Sequence, residues 1–185
     1  MSTRFPVLVA RRRPAFALLR FLGMAIAGSL LLAVSAHVKV PFWPVPMTLQ
    51  TLAVLLIGVQ AGPAVGAAAV VLTIGEGLLG LPVFTTGGAG ALFGPTGGFI
   101  AGFLPAVLLA GIAGRARSGL NGVAMSIATL VAADAVVLLL GWAWLATTIG
   151  GAKAFAVGIA PFLLGEAVKV ALAAATVPLR RLPRD

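Results

Sequence analysis

The chain has 185 residues, of which 61% are hydrophobic and 9% charged, with a mean hydropathy of +1.14. Soluble domains run near about 45–50% and about 25%, so this composition excludes a soluble globular domain and describes a membrane protein. The net charge of +9 does not point to nucleic acid, because the basic residues sit at the ends of apolar runs and no basic stripe interleaved with aromatics occurs.

A spanning helix needs about 20 mostly apolar residues. The first apolar run covers residues 16–36. Its basic start and the "VSA" before His37 also fit a cleaved signal peptide, but the run is long for one and is expected to be kept. A Pro-rich break, "KVPFWPVPMT", follows at residues 39–48. The second run, residues 49–59, is short, with Thr48 as its expected N-cap. The third covers residues 63–81 and leads into a Gly-rich stretch at residues 80–98. The fourth covers 99–113 and stops at "GRARSG"; the fifth covers 120–146 and the sixth 157–177. The expected fold is therefore all-α, a bundle of six transmembrane helices.

Six spans place both termini on one side. Arg4, Arg11, Arg12, Arg13, Arg20, Arg115, Arg117, Arg180, Arg181 and Arg184 then share that side, against only Lys39 and Lys153 opposite. By the positive-inside rule the shared side is cytoplasmic. The expected organisation is a basic segment at residues 1–15, a transmembrane domain at 16–178 and a basic tail at 179–185. An inner-membrane location follows.

Four charged residues lie within apolar runs: Glu76, Asp134, Glu166 and Lys169. Each is costly in lipid, and such residues usually face a bundle interior and serve function. At about 1.5 Å per residue, all four fall in the outer half or near the middle of the membrane, below the two external loops. That arrangement suggests a pocket opening outwards. Glu166 and Lys169, three apart, share a helix face; they fit both a self-neutralising pair and a ligand site offering acceptor and cation together. The loop carrying Phe42 and Trp43 reads equally as an interfacial anchor or as a lid. Small residues recur at Ala25, Ser29 and Ala33, with Gly23 and Ala27 alongside, a spacing that serves internal packing or a partner protein.

Several chemistries are excluded. The chain has no cysteine and one histidine, His37, so thiol catalysis and histidine metal clusters do not arise. No Gly-x-x-x-x-Gly-Lys-Ser/Thr motif occurs, so the chain is not expected to use ATP itself.

"VPMTLQT" (45–51), "GLPVF" (80–84), "GPTGGF" (94–99) and "PFLLGEAVKVALA" (161–173) together resemble the BioY family, in the family's order and spacing. The resemblance runs from about residue 30 to 175. It implies a six-helix component that binds biotin with high affinity from outside for uptake. It also implies a transmembrane coupling protein and a pair of cytoplasmic ATPases as partners. The chain itself would carry no cofactor, with biotin as substrate and ATP used only by the ATPases. Membrane lipid and a homo-oligomer are further expected associations.

In the family the sixth-helix pattern is Gly-Asp-x-x-Lys; here Gly165, Glu166 and Lys169 match it, with glutamate for aspartate. The implied site has Glu166 accepting a ureido N–H and Lys169 pairing with the carboxylate or ureido oxygen. Phe84, Thr85, Thr86 and Trp43 would line or close the pocket, with Gln50 at its rim. The family's coupling surface on the first helix maps to Ser29 and Ala33, with Ala25 one turn before. A proton-coupled secondary transporter of a small carboxylated solute is the competing reading, with Glu76, Asp134 or Glu166 as relay; no internal repeat supports it. An intramembrane enzyme lacks its usual residues.

Overall fold

The computed structural model describes residues 14–115 and 119–180. In chain order these form α1 (Pro14–His37), β1 (Lys39–Val40), β2 (Met47–Thr48), α2 (Gln50–Ala61), α3 (Pro63–Leu78), α4 (Ala89–Phe93), α5 (Gly97–Ala113), α6 (Leu120–Ile149), α7 (Gly151–Gly158), α8 (Leu163–Ala175) and α9 (Val177–Arg180). The basic N-terminal segment and tail, and Arg117, lie almost wholly outside the described residues.

Every apolar run expected from the sequence holds a helix, and the breaks follow local chemistry. Between α2 and α3, Gly62 takes φ 88°, which glycine adopts without a steric penalty, and Pro63 starts α3 where its missing N–H costs nothing. The sixth run departs from expectation. It holds only the last two residues of α7 and then α8, the two helices bent by 54° at a short break containing Pro161, and the apolar helical stretch begins earlier, at Gly151. Proline cannot donate the hydrogen bond that would continue α7. By length and composition α1 and α6 are each long enough to cross a membrane and the α7–α8 pair passes together, while α2, α3 and α5 are shorter apolar helices.

Side-chain bonds fix which helix ends lie together. At one end Gln60 Nε2 donates to Thr176 O at 2.9 Å, Ser126 Oγ donates to Ala113 O at 3.1 Å, and Arg20 shares a shallow hollow with Val65. At the other, Thr85 Oγ1 donates to Ala36 O at 2.7 Å, Trp144 Nε1 to Gly94 O at 2.9 Å and Trp142 Nε1 to Gly151 O at 3.0 Å. Successive long helices therefore run in alternating directions. The described arginines Arg20 and Arg115 lie at the first end, and Lys39 and Lys153 at the second.

The core forms around α5, whose Phe99, Ile100, Phe103, Ala106, Val107 and Ala110 are all buried. Large apolar side chains such as Leu19, Leu30, Val34, Leu139 and Leu164 point outwards instead. Lipid tails are as apolar as leucine, so helices associate by close packing rather than by hiding hydrocarbon from water. The small residues of α1 show this. Ala25 and Ser29 are buried, Ala33 is half-buried, and a Cβ on the neighbouring Gly28 would meet Ala69 Cβ of α3 at 2.7 Å. Of the residues expected to form a coupling surface, Ala25 and Ser29 are thus covered within this chain, and Ser29 bonds towards Glu76 and Thr73 of α3. The outward face of α1 carries Leu22, Gly23, Ile26, Ala27, Leu30 and Val34.

Candidate functional site

The β1–β2 ribbon pairs Lys39 with Thr48 and Val40 with Met47. This pairing folds residues 41–46 over the second end of the bundle. Phe42 reaches down from the loop to Phe162, ring centroids 5.8 Å apart, and Phe162 meets Phe99 edge-on at 6.2 Å. Thr48 is not the N-cap of α2; Leu49 is. Thr48 lies one residue earlier, where its Oγ1 accepts the Gln50 N–H at 3.2 Å and its carbonyl turns towards α8.

Beneath this cover lies a tight cavity of about 50 Å³, which a ligand has to widen towards the roughly 300–1,000 Å³ typical of small-molecule sites. Phe84, Phe99, Phe103 and Phe162 supply aromatic walls, with Val45, Pro46, Ile100, Val137 and Leu138. Thr48, Thr51, Thr85, Thr96 and Gln50 supply polar groups. Glu166 is the one charged side chain among the described residues that line it.

Glu166 sits in the first turn of α8, where unpaired backbone N–H groups favour a carboxylate. Its Oε1 accepts from Lys169 Nζ at 2.7 Å and from Thr51 Oγ1 at 3.5 Å. Lys169 Nζ also donates to the Thr48 carbonyl at 2.6 Å. Both charged side chains are 6% exposed. The pair is thus more than a local i,i+3 contact: through Thr48 it ties α8 to the start of α2 and to the covering ribbon.

Of the residues expected from sequence, Gln50, Phe84, Thr85 and Glu166 line the cavity. Lys169 stands one hydrogen bond behind Glu166. Thr86 is exposed and outside the lining. Trp43 is 89% exposed and faces a separate outer groove with Phe93, Trp144 and Lys153, so it does not wall the cavity. The ring of this loop that packs inwards is Phe42, against Phe162.

Glu76 lies away from the cavity. Ser29 Oγ donates to its Oε2 at 2.5 Å, and Thr73 Oγ1 stands 2.9 Å from Ser29 Oγ, a polar clasp between α1 and α3. Sequence reasoning missed Thr48, Thr51, Thr96, Phe99 and Phe162, although all lie inside the motifs "VPMTLQT", "GPTGGF" and "PFLLGEAVKVALA". Val137 and Leu138 carried no signal, because nothing in an apolar helix says which face meets a ligand.

A family model described as BioY family matches residues 8–184. A probable biotin transporter BioY from Pyrococcus horikoshii is 38% identical over 145 residues, covering 77% of this chain and 85% of that protein. A biotin transporter BioY from Thermotoga maritima is 34% identical over 147 residues, covering 78% and 85%. Among solved structures, the S-component for biotin from an ECF-type ABC transporter superposes with a TM-score of 0.74, at 22% identity, covering 91% of this chain and 94% of that one. The last is a likeness of fold.

Proposed function

The chain belongs to the BioY family, and on that premise we propose that it captures biotin outside the membrane as the substrate-binding component of an energy-coupling-factor transporter. The carrying observation is the cavity's lining: aromatic and aliphatic walls, several hydroxyls, and one carboxyl acceptor, Glu166. Biotin is an apolar bicycle bearing a ureido group with two N–H donors and a carboxylate tail. Glu166 accepts a ureido N–H. Phe84, Phe99 and Phe162 hold the bicycle, and Thr85 and Gln50 serve its polar edge. Lys169 is the nearest cation, and it reaches the ligand by giving up its bond to the Thr48 carbonyl. Equilibrium binding of biotin and biotin amide to purified protein tests this reading. Biotin binding is expected, with loss of affinity for the amide if Lys169 meets the carboxylate; failure of biotin itself to bind would overturn the assignment.

The wider reading follows from the same premise. Six crossings, with α2, α3 and α5 completing the long helices, place both termini in the cytoplasm and the cavity outside, in the inner membrane. Residues 16–178 form the transmembrane domain, flanked by basic segments. The chain needs no cofactor of its own, and ATP is consumed by a cytoplasmic ATPase pair through a transmembrane coupling protein. The outward Gly23 and Ala27 of α1 suit close approach of that protein. Because native cysteine is absent, single cysteines placed near Arg115 and Lys153 report topology cleanly. A membrane-impermeant thiol reagent should label the second and spare the first.

A further inference from the structure

Asp134 lies midway along α6, buried and outside the cavity lining. Together with Glu166 it lines a second hollow of about 730 Å³ between α6 and α8, otherwise walled mainly by apolar residues such as Ile127, Val131 and Val170. Glu166 and Leu138 line both spaces, so the Glu166 carboxylate is the partition between them. One of its oxygens is occupied by Lys169 and Thr51. The other, Oε2, is buried without a hydrogen-bond partner, and so is Asp134 Oδ1. Both carboxyl groups thus line one hollow, each with a buried oxygen that lacks a donor.

Two buried carboxylates against one ammonium leave a negative charge uncompensated, and two buried acceptors on the same hollow lack a donor. The surrounding helices offer no remedy. α2 and α5 contain no titratable side chain, α6 contains Asp134 alone, and α8 contains Glu166 and Lys169 alone. Lys153 of α7 is exposed at the outer groove, and α9, which ends at Arg180, lines the hollow with Val177 and Pro178. A single proton answers both deficits. We propose that Asp134 is a positioning residue that shares one proton with Glu166, so that Glu166 is held by Lys169 on one oxygen and by a carboxyl donor on the other, oriented towards the ligand's N–H. This rests on the biotin reading of the cavity. It makes the proton part of the binding site: removing it at alkaline pH costs the donor and adds a charge, so affinity falls as pH rises.

The test is biotin calorimetry on the full chain in lipid nanodiscs from about pH 6 to about pH 10, with infrared spectra of the ligand-free protein. Wild type should lose affinity towards alkaline pH. Asp134→Asn keeps a donor without a titrating proton. It should match wild type at neutral pH within about threefold and show a flatter alkaline profile. Asp134→Leu should bind roughly tenfold more weakly or worse at neutral pH. The wild-type spectrum should carry a protonated-carboxyl C=O band that Asp134→Asn removes. Asp134→Leu binding like wild type, a wild-type profile shared unchanged by Asp134→Asn, or a band that survives in Asp134→Asn would each overturn the proposal. If wild type fails to bind biotin, the ligand assignment falls instead, and the infrared band alone still decides whether Asp134 shares the proton.

Discussion

Lys169 offers the sharpest single perturbation. Its ammonium donates to Glu166 Oε1 at 2.7 Å and to the Thr48 carbonyl at 2.6 Å, in a site where both charged side chains are 6% exposed. Two effects compete in Lys169→Met. Hydrogen bonds within membrane proteins average only about 0.6 kcal/mol, so losing two neutral-strength bonds costs about 1 kcal/mol. Leaving one partner of a buried ion pair uncompensated costs about 3–5 kcal/mol. The charge should dominate, and the expected loss of stability is about 3–5 kcal/mol. The double variant Glu166→Gln/Lys169→Met removes both charges. It should recover most of that stability while still failing to bind biotin, because the charged acceptor, the cation and the tether to Thr48 are all gone. Reversible unfolding in mixed micelles measures the stability, and calorimetry measures the binding. If Lys169→Met unfolds and binds like Lys153→Met, whose parent side chain is exposed on α7, the pair is not the linchpin described above.

Other substitutions separate packing from binding. A Cβ on Gly141 of α6 would collide with the Phe99 ring, so Gly141→Ala should push that ring into the cavity, cost about 1–3 kcal/mol and abolish biotin binding in calorimetry. Phe162→Ala removes a buried ring that touches both Phe42 and Phe99, and should lower stability by about 3–5 kcal/mol along with affinity. Ser29→Ala breaks the clasp to Glu76. It should reduce stability by about 1 kcal/mol with biotin affinity unchanged, since neither residue lines the cavity. Trp43→Ala should leave affinity within about twofold of wild type, as its ring faces the outer groove; a large loss on titration would return Trp43 to the site.

Composition and breaks alone made the helical membrane architecture legible, because lipid tolerates little besides helices and because Gly62 and Pro63 mark a helix boundary for local reasons. The rarity of charge in so apolar a chain likewise singled out Glu166 and Lys169. What the sequence left undecided was direction around each helix. In water an apolar stripe marks the inside, but here both faces are apolar, so nothing distinguished the buried Ala25 and Ser29 from the exposed Gly23 and Ala27. The same ambiguity concealed Val137 and Leu138, left open which space Asp134 borders, and made Trp43 look like a wall when its neighbour Phe42 turns inward. Those choices are made by packing between helices distant in sequence, where α2, α5, α6 and α8 close around one space. A one-dimensional pattern carries no record of which neighbour a face will meet.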